Sequence, residues 1–258
     1  MNAACTETHL VLIPSYNTGR VLLPTVTGAL RHWPAIWVVV DGSTDGSAVP
    51  LADLCQTQPG LRVIHRAQNG GKGAAVFDGL REAASHNFTH VLVMDADGQH
   101  PARSIPEFMH ISKQHRQAMV LGAPLFDASA PRIRVIWRKI SNFLTRLETT
   151  SEISDSLFGF RVYPLADLLA VMQTNHRMRG FDFDPEAIVR LSWRGIAAIN
   201  HPAPVRYFAV KEGGVSHFRY GRDNLLLAAM HARLLATRIA RLPKRTKPLR
   251  TLSHRTVD

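Results

Sequence analysis

Asp95 and Asp97 stand two residues apart in Met94-Asp95-Ala96-Asp97-Gly98-Gln99-His100-Pro101, directly after an apolar run. Two carboxylates at that spacing, followed by a turn glycine, can face one hard cation. Oxygen ligands of this kind suit Mg2+ or Mn2+, ions commonly shared with substrate phosphates. Asp and Gly also favour ordinary turns, so the metal and turn readings both stand on this stretch alone. A second stretch, Asp41-Gly42-Ser43-Thr44-Asp45-Gly46-Ser47, places Asp41 where it can accept hydrogen bonds from a base or ribose, while Asp45 or Ser47 can cap a following helix. A third, Asn69-Gly70-Gly71-Lys72-Gly73, offers glycine amides and a lysine that could face a diphosphate at a helix N-terminus. Its glycine spacing is too short for the phosphate loop of ATPases, and no Ser or Thr follows the lysine.

These stretches need elements that bring them to one place. Short Val-, Ile- and Leu-rich runs over 9–13, 36–40, 61–64 and 90–94 read as strands, and helical spacing separates them over 21–30, 48–55 and 73–85. That alternation implies a mostly parallel sheet covered on both faces. Ligands of such sheets sit at the carboxyl ends of the strands, where all three stretches fall. After Ala123 the rhythm breaks. An amphipathic helix is expected over 132–147, with Ile133, Ile136, Trp137, Ile140, Phe143, Leu144 and Leu147 as its apolar stripe and Arg132, Arg134, Arg138, Lys139 and Arg146 beside it. A strand over 158–163, a helix over 185–191, an extended segment from 196 to 208 and a second apolar helix over 224–242 follow.

With Ile13-Pro14-Ser15-Tyr16-Asn17 after the first strand, the ordered set resembles family 2 glycosyltransferases of the GT-A fold. The likeness runs over about 9–220 and is nearest to polyprenyl-phosphate sugar synthases of the dolichol-phosphate mannose type. That group carries Asp-Ala-Asp-x-Gln-His-Pro, matched from Asp95 to Pro101; Asp-x-x-x-Gly-Phe-Arg, matched by Asp155, Gly159, Phe160 and Arg161; and a Gly-Phe-x-x-Asp-x-Glu-like segment, matched from Gly180 to Glu186. The stretches 155–164 and 213–218 are similar to glycosyltransferases of bacterial aryl-polyene clusters. The chain departs from the family where Val40 precedes Asp41 in place of a second aspartate and where Thr18 replaces a glutamate. It lacks the Glu-Asp-x-x-x-x-Trp element of processive synthases, which argues for transfer of a single sugar.

The resemblance implies an α/β GT-A domain over 1–218 that transfers a sugar, with inversion, from a UDP- or GDP-linked donor. Pro14, Tyr16, Asn17, Asp41, Ser43, Lys72, Asp95 and Ala96 would bind the nucleotide sugar, and Asp95, Asp97 and Gln99 would hold Mg2+ or Mn2+ on the diphosphate. Lys72 or Arg161 would add positive charge there. An acceptor that is a lipid phosphate is already an anion, and Arg138 and Arg161 would bind it. An acceptor hydroxyl needs a base, for which Asp155 or Asp182 are the candidates; for Arg138, Asp155 and Asp182 a purely structural role stands beside each of these. His100 adjoins the metal loop and could support it.

Charge separates the chain into two parts. The full chain carries 31 Lys and Arg against 20 Asp and Glu. From Arg219 onward ten Lys or Arg face two Asp, so this segment alone carries +8. An apolar helix and basic tail over 219–258 is therefore expected as an appendage for an anionic membrane surface, and a solvated end is the plain alternative. Nucleic acid is not expected as a partner, because the basic excess is terminal and neither an RNA-binding aromatic motif nor a zinc finger is present. A sugar-phosphate nucleotidyltransferase is disfavoured, since its glycine-rich loop after the first strand is replaced by Pro14-Ser15-Tyr16-Asn17. Two cysteines, Cys5 and Cys55, fit a reducing compartment. The start MNAACTETHL lacks a charged n-region and an apolar h-region, and no run approaches the ~20 apolar residues of a spanning helix. A cytoplasmic protein, peripheral on the inner membrane face, is expected.

Overall fold

A computed structural model of the chain describes residues 7–125, 132–149, 151–205 and 220–241. Cys5, the stretch 213–218, the end of the extended segment at Phe208 and the tail from 242 lie outside the described residues. Among the described residues seven strands form one sheet: β1 (His9–Ser15), β2 (Ile36–Asp41), β3 (Leu61–Arg66), β4 (His90–Val93), β5 (Ala118–Leu125), β6 (Arg161–Pro164) and β7 (Ala197–Pro204). Their order is β3-β2-β1-β4-β6-β5-β7. The helices are α1 (Leu22–Leu30), α2 (Val49–Thr57), α3 (Lys72–Ala84), α4 (Ile105–Gln114), α5 (Arg132–Glu148), α6 (Leu165–Thr174), α7 (Phe183–Trp193) and α8 (Tyr220–Arg241).

Every residue of β1 and β2 is buried, as near-continuous apolar runs in a parallel sheet require. The period of two divides their side chains between two cores. Leu10, Leu12, Trp37 and Val39 pack with Ala75, Val76 and Leu80 of α3 and with α6 and α7. Val11, Ile13, Val38 and Val40 pack with Leu22 and Val26 of α1 and with Ile105 and Phe108 of α4. The sheet is thus sandwiched between helices, the mostly parallel architecture expected of the sequence.

The exception to parallel pairing is β6, which runs antiparallel to both β4 and β5. Register pairs Val93 with Arg161, so β6 starts beside the point where β4 ends. The loop entering β6 is thereby delivered to the same edge as the loops leaving β1, β2 and β4. The strand expected over 158–163 is a loop as far as Phe160. There Phe158 and Phe160 pack edge-on around the His100 ring.

Two histidines sit at the opposite edge. His9 and His90 pair in register on β1 and β4 and stack with ring centroids 4.4 Å apart. The Nε2 of His9 lies 3.2 Å from the Ser112 hydroxyl, and that of His90 2.9 Å from the Arg116 carbonyl. Burial, with each other's charge and that of Lys113 and Arg116, lowers His9 to about 3; burial also lowers His90. Both folded-state values lie below the ordinary histidine value of 6.5. The pair's contribution to stability is therefore complete above that value and is lost as pH falls through the interval down to about 3. The urea midpoint should fall from pH 7 to pH 4 more steeply for the native chain than for a His9→Phe variant, measured by circular dichroism.

Candidate active site

The carboxyl edge of the sheet is organised around one ammonium group. Lys72, the first residue of α3, places Nζ 2.6 Å from Asp95 Oδ1 and 2.6 Å from Asp184 Oδ2. Burial opposes a charge there, yet Asp184 and Asp95 outweigh it and raise the ammonium above its usual pKa. Gly159 passes so close that a Cβ would lie 2.5 Å from Nζ and 2.9 Å from Asp95 Oδ2. A larger residue there would have to displace the Lys72–Asp95 ion pair, which gives the Asp-x-x-x-Gly-Phe-Arg motif one physical reason.

His100 positions the same aspartate. Its Nδ1 accepts from the Asp95 amide at 3.0 Å, so the other nitrogen, 3.5 Å from Asp95 Oδ2, is the protonated one. Burial lowers His100 to about 4, which keeps the ring neutral. Asp97 is pushed up to about 7 by burial and by the charge of Asp95. Burial would raise Asp95 as well, but Lys72 and His100 bring it below the ordinary value. Two half-buried carboxylates that resist joint ionisation are a donor set that a divalent cation fits, with the Gln99 amide beside them.

Lys72, Asp95, Asp97, Gln99, Arg138 and Asp184 line one cavity. Its other half is apolar: Trp137, Ile140 and Leu144 from α5, Leu157 and Phe181 from loops, and Leu227 from α8. The described part of the expected appendage is therefore built into the site wall. Leu227, Met230 and Leu234 of α8 share a buried cluster with Val189 of α7.

Of the residues predicted from sequence, the structure brings Lys72, Asp95, Asp97, Gln99 and Arg138 into this cavity and leaves others outside it. Arg161, expected at the acceptor, is fully buried under it. Its guanidinium donates to the Asp184 carbonyl at 2.6 Å and to the Tyr163 hydroxyl at 3.2 Å. It is a pillar between β6 and α7, without access to a substrate. Asp155, a candidate base, is 2% exposed. Its Oδ1 accepts from the Leu157 and Phe158 amides and from Arg138 at 2.7 Å, and its Oδ2 from Asn142 at 3.2 Å. Those bonds occupy the carboxylate in a turn and an ion pair. Asp182 accepts from the Gly180 amide at 2.9 Å and is raised chiefly by burial; the cavity carboxylate of that segment is Asp184. Asp184, not among the expected site residues, is the aspartate of that same Gly-Phe-x-x-Asp-x-Glu-like stretch, one residue before Pro185 in the first turn of α7.

The glycine loop also differs from expectation. The Gly70 and Gly71 amides donate to Asp41 at 2.8–3.2 Å, and Arg66 adds a charged contact to the same carboxylate. Gly71 has φ +93°, and a Cβ there would meet the Arg179 carbonyl. These amides are committed to Asp41 and the helix start is covered by the segment before α7, so neither is open to a diphosphate. Asp41, 2% exposed, acts first as the clasp of that loop. The loops after β1 and β2 are joined in the same way. The Asn17 amide donates to Ser43 Oγ at 3.0 Å, Asn17 Oδ1 accepts from Thr44 at 2.8 Å, and Gly19 donates to Asp45. Pro14 is buried at the end of β1 and Tyr16 half-buried beyond it. Ala96 is buried, its carbonyl accepting from Thr25.

Comparison with known proteins agrees with this construction. The Glycosyl transferase family 2 model matches residues 10–168. Polyprenol monophosphomannose synthase of Mycolicibacterium smegmatis is 28% identical over 205 residues, covering 74% of this chain and 73% of that protein. Undecaprenyl-phosphate mannosyltransferase of Micrococcus luteus is 24% identical over 200 residues, covering 75% and 81%. Among solved structures, a Pyrobaculum calidifontis mannosyltransferase in complex with GDP-Man and Mn2+ superposes with a TM-score of 0.60 at 18% identity, over 90% of this chain and 64% of that one. Glucosyl-3-phosphoglycerate synthase of Mycobacterium tuberculosis, with Mn2+, UDP-glucose and phosphoglyceric acid, gives 0.56 at 18%, over 93% and 82%. At such identities the structural matches speak for the fold.

Replacing Asp41 removes the acceptor of two amides and a guanidinium at a buried point. Asp41→Ala should cost about 3 kcal/mol of folding stability in urea titration, and calorimetry with UDP or GDP and Mn2+ should show weakened nucleotide binding without any acceptor.

Proposed function

The chain belongs to glycosyl transferase family 2 and is a glycosyltransferase, and from that premise we propose that it moves one sugar from a UDP- or GDP-linked donor to a lipid-linked phosphate acceptor at a membrane surface. The observation that carries this reading is the two-ended cavity. Carboxylates and cations at one end adjoin an apolar chamber at the other, a combination suited to a molecule with an anionic head and a hydrocarbon tail. The names of the two mannosyl transferring relatives, a polyprenol and an undecaprenyl-phosphate enzyme, support it.

The nucleotide belongs on the loops after β1 and β2, with Tyr16, Asn17 and Ser43 nearest to it and Asp41 holding the adjoining glycine loop in shape. Asp95, Asp97 and the Gln99 amide would hold Mg2+ or Mn2+, which neutralises the departing diphosphate when bound. Lys72 adds fixed positive charge at that end, and Gly159 keeps it against Asp95. Arg138, held by Asp155 with its side chain 19% exposed, binds the acceptor phosphate. A phosphate oxygen is already an anion near pH 7 and needs no base. It forms its bond to the anomeric carbon as the bond to the diphosphate oxygen breaks on the opposite face, so the configuration inverts.

Helix α5 supports the membrane part of the proposal. Its inward face is polar, with Ser141, Thr145 and Glu148 buried, whereas Ile136, Phe143 and Leu147 are 58%, 61% and 46% exposed. Part of the apolar stripe expected along this helix, Ile136, Phe143 and Leu147, therefore faces outward beside Lys139 and Arg146, while Trp137, Ile140 and Leu144 line the cavity. An apolar face with flanking cations is suited to lying in a bilayer interface. Among the described residues no helix is long and apolar enough to cross a membrane. Each Lys or Arg near an anionic surface would add about 1 kcal/mol, screened by salt.

Two measurements test the proposal. Asp97→Ala should lower turnover of GDP-mannose or UDP-glucose with undecaprenyl phosphate by at least ~100-fold, as expected for removing stabilisation of developing charge, and EDTA should do the same to the native enzyme; undiminished turnover in EDTA would exclude the metal. The protein should sediment with phosphatidylglycerol vesicles but not phosphatidylcholine vesicles, less so at high salt and less so as Phe143→Glu. Equal absence of binding to both vesicle types would remove the membrane surface from the proposal.

A further inference from the structure

Behind the cavity wall a chain of side-chain hydrogen bonds links α8 to the acceptor end of the site. Glu148 Oε1 and Oε2 lie 2.9 and 3.1 Å from His231 Nδ1. His231 Nε2 lies 3.0 Å from Ser141 Oγ, which is 3.1 Å from Ser156 Oγ. Ser156 donates to Asn142 Oδ1 at 2.7 Å, and Asn142 Nδ2 donates to Asp155 Oδ2 at 3.2 Å. Asp155 in turn holds Arg138. Glu148, His231, Ser141 and Ser156 are all buried, and Ser141 and His231 also line the cavity.

The directions of these bonds follow from valence. The Ser156 amide donates to Asn142 Oδ1 at 2.8 Å, which fixes the orientation of that amide group. The Ser156 hydroxyl proton is then directed to the same oxygen, the shortest of its contacts. Ser156 Oγ can only accept from Ser141, so the Ser141 proton is committed there. Ser141 Oγ must accept from His231, whose Nε2 therefore carries a proton. The Nδ1 faces a carboxylate, and that contact needs a further proton on one side or the other. His231 and Glu148 together hold one proton more than a neutral imidazole opposite a carboxylate. Burial, which raises Glu148, is consistent with such sharing.

We propose that His231 is a positioning residue for the acceptor side of the cavity, its Nε2–H setting the donor direction of Ser141, Ser156 and Asn142 and thereby the seating of Asp155 and Arg138. The role rests on the reading of Arg138 as the acceptor-phosphate ligand. Ser141, His231 and Glu148 are the residue types of a nucleophilic triad, but the polarity is reversed. A serine nucleophile needs an unprotonated Nε2 to receive its proton, whereas here Nε2 donates and the serine proton points away. Glu148 is the charged partner of the His231 ring, and the further charges acting on Glu148 are Glu186 on α7 and Arg238 on α8. Glu186 is matched by Arg190 and Arg233 at 2.7 and 2.6 Å, which leaves Glu148 as the carboxylate in contact with the imidazole.

Ring-nitrogen NMR of 15N-histidine-labelled full-length protein at pH 6.5 tests the assignment without any acceptor, the His231 signals being identified by their loss in His231→Gln. The expected result is a protonated Nε2. An unprotonated Nε2 would overturn the proposal, and so would labelling of Ser141 by a fluorophosphonate. The kinetic test uses GDP-mannose or UDP-glucose with undecaprenyl phosphate. His231→Leu should raise KM for undecaprenyl phosphate about tenfold, with a smaller change in kcat, as one lost buried hydrogen bond would. His231→Gln, which keeps an N–H donor toward Ser141, should restore KM. Equal damage by Gln and Leu with native-like circular dichroism would show that His231 only fills space. Absence of transfer to undecaprenyl phosphate by the native enzyme would fault the acceptor reading, while the NMR outcome would still decide the polarity.

Discussion

The contact of Lys72 with both Asp95 and Asp184 is the point on which the site depends. Three elements distant in sequence, the start of α3, the loop after β4 and the first turn of α7, present charged groups to one another at 2.6 Å. A buried ammonium is stable there because two carboxylates share it, and each carboxylate is stable because of the ammonium. Removing one partner would leave the others uncompensated. Glycine at position 159 and the buried Arg161 follow from this arrangement. The first lets the chain pass beside the cluster, and the second braces the backbone that carries Asp184.

Around that cluster the protein divides its polar groups into those committed to structure and those left for a ligand. Asp41 and Asp155 have the residue types of a binding site, yet backbone amides and internal partners use their hydrogen-bonding capacity, and Arg161 is sealed beneath the cavity. Asp97 and Gln99 at the cavity are engaged less completely. A polar residue near an active site is thus better judged by its remaining valence than by its position in a motif.

Much of this was legible in the sequence. Apolar runs over 36–40 and 90–94 locate their strands to within a residue or two, and the carboxyl-end rule leads directly to Asp95, Asp97 and Lys72. The spacing argument does not reach α4, β5 and α6, whose apolar residues lack sharp boundaries. It also cannot say that β6 inserts antiparallel between β4 and β5, since strand order is set by long-range packing. That Asp184 rather than Asp182 lines the cavity has a related reason. Which of two aspartates, two residues apart at a helix start, faces the cavity depends on where α7 meets Lys72, and no local pattern encodes that. The stripe on α5 was visible as a periodicity, but only the packed structure shows that Ser141, Thr145 and Glu148 form the inward face.

The inserted strand bears on synthesis at the ribosome. Strands β1 to β4 can pair as they emerge, but the outer edge of β4 stays unpaired until residues 161–164 have been made and have turned back. For that interval the nascent chain carries an apolar strand with open amides and carbonyls, the kind of edge that recruits other chains. Asp184, which completes the charged cluster, emerges later still. Partly made chains therefore need shielding of the β4 edge, and a truncated product ending before β6 would be an aggregation hazard as well as an inactive enzyme.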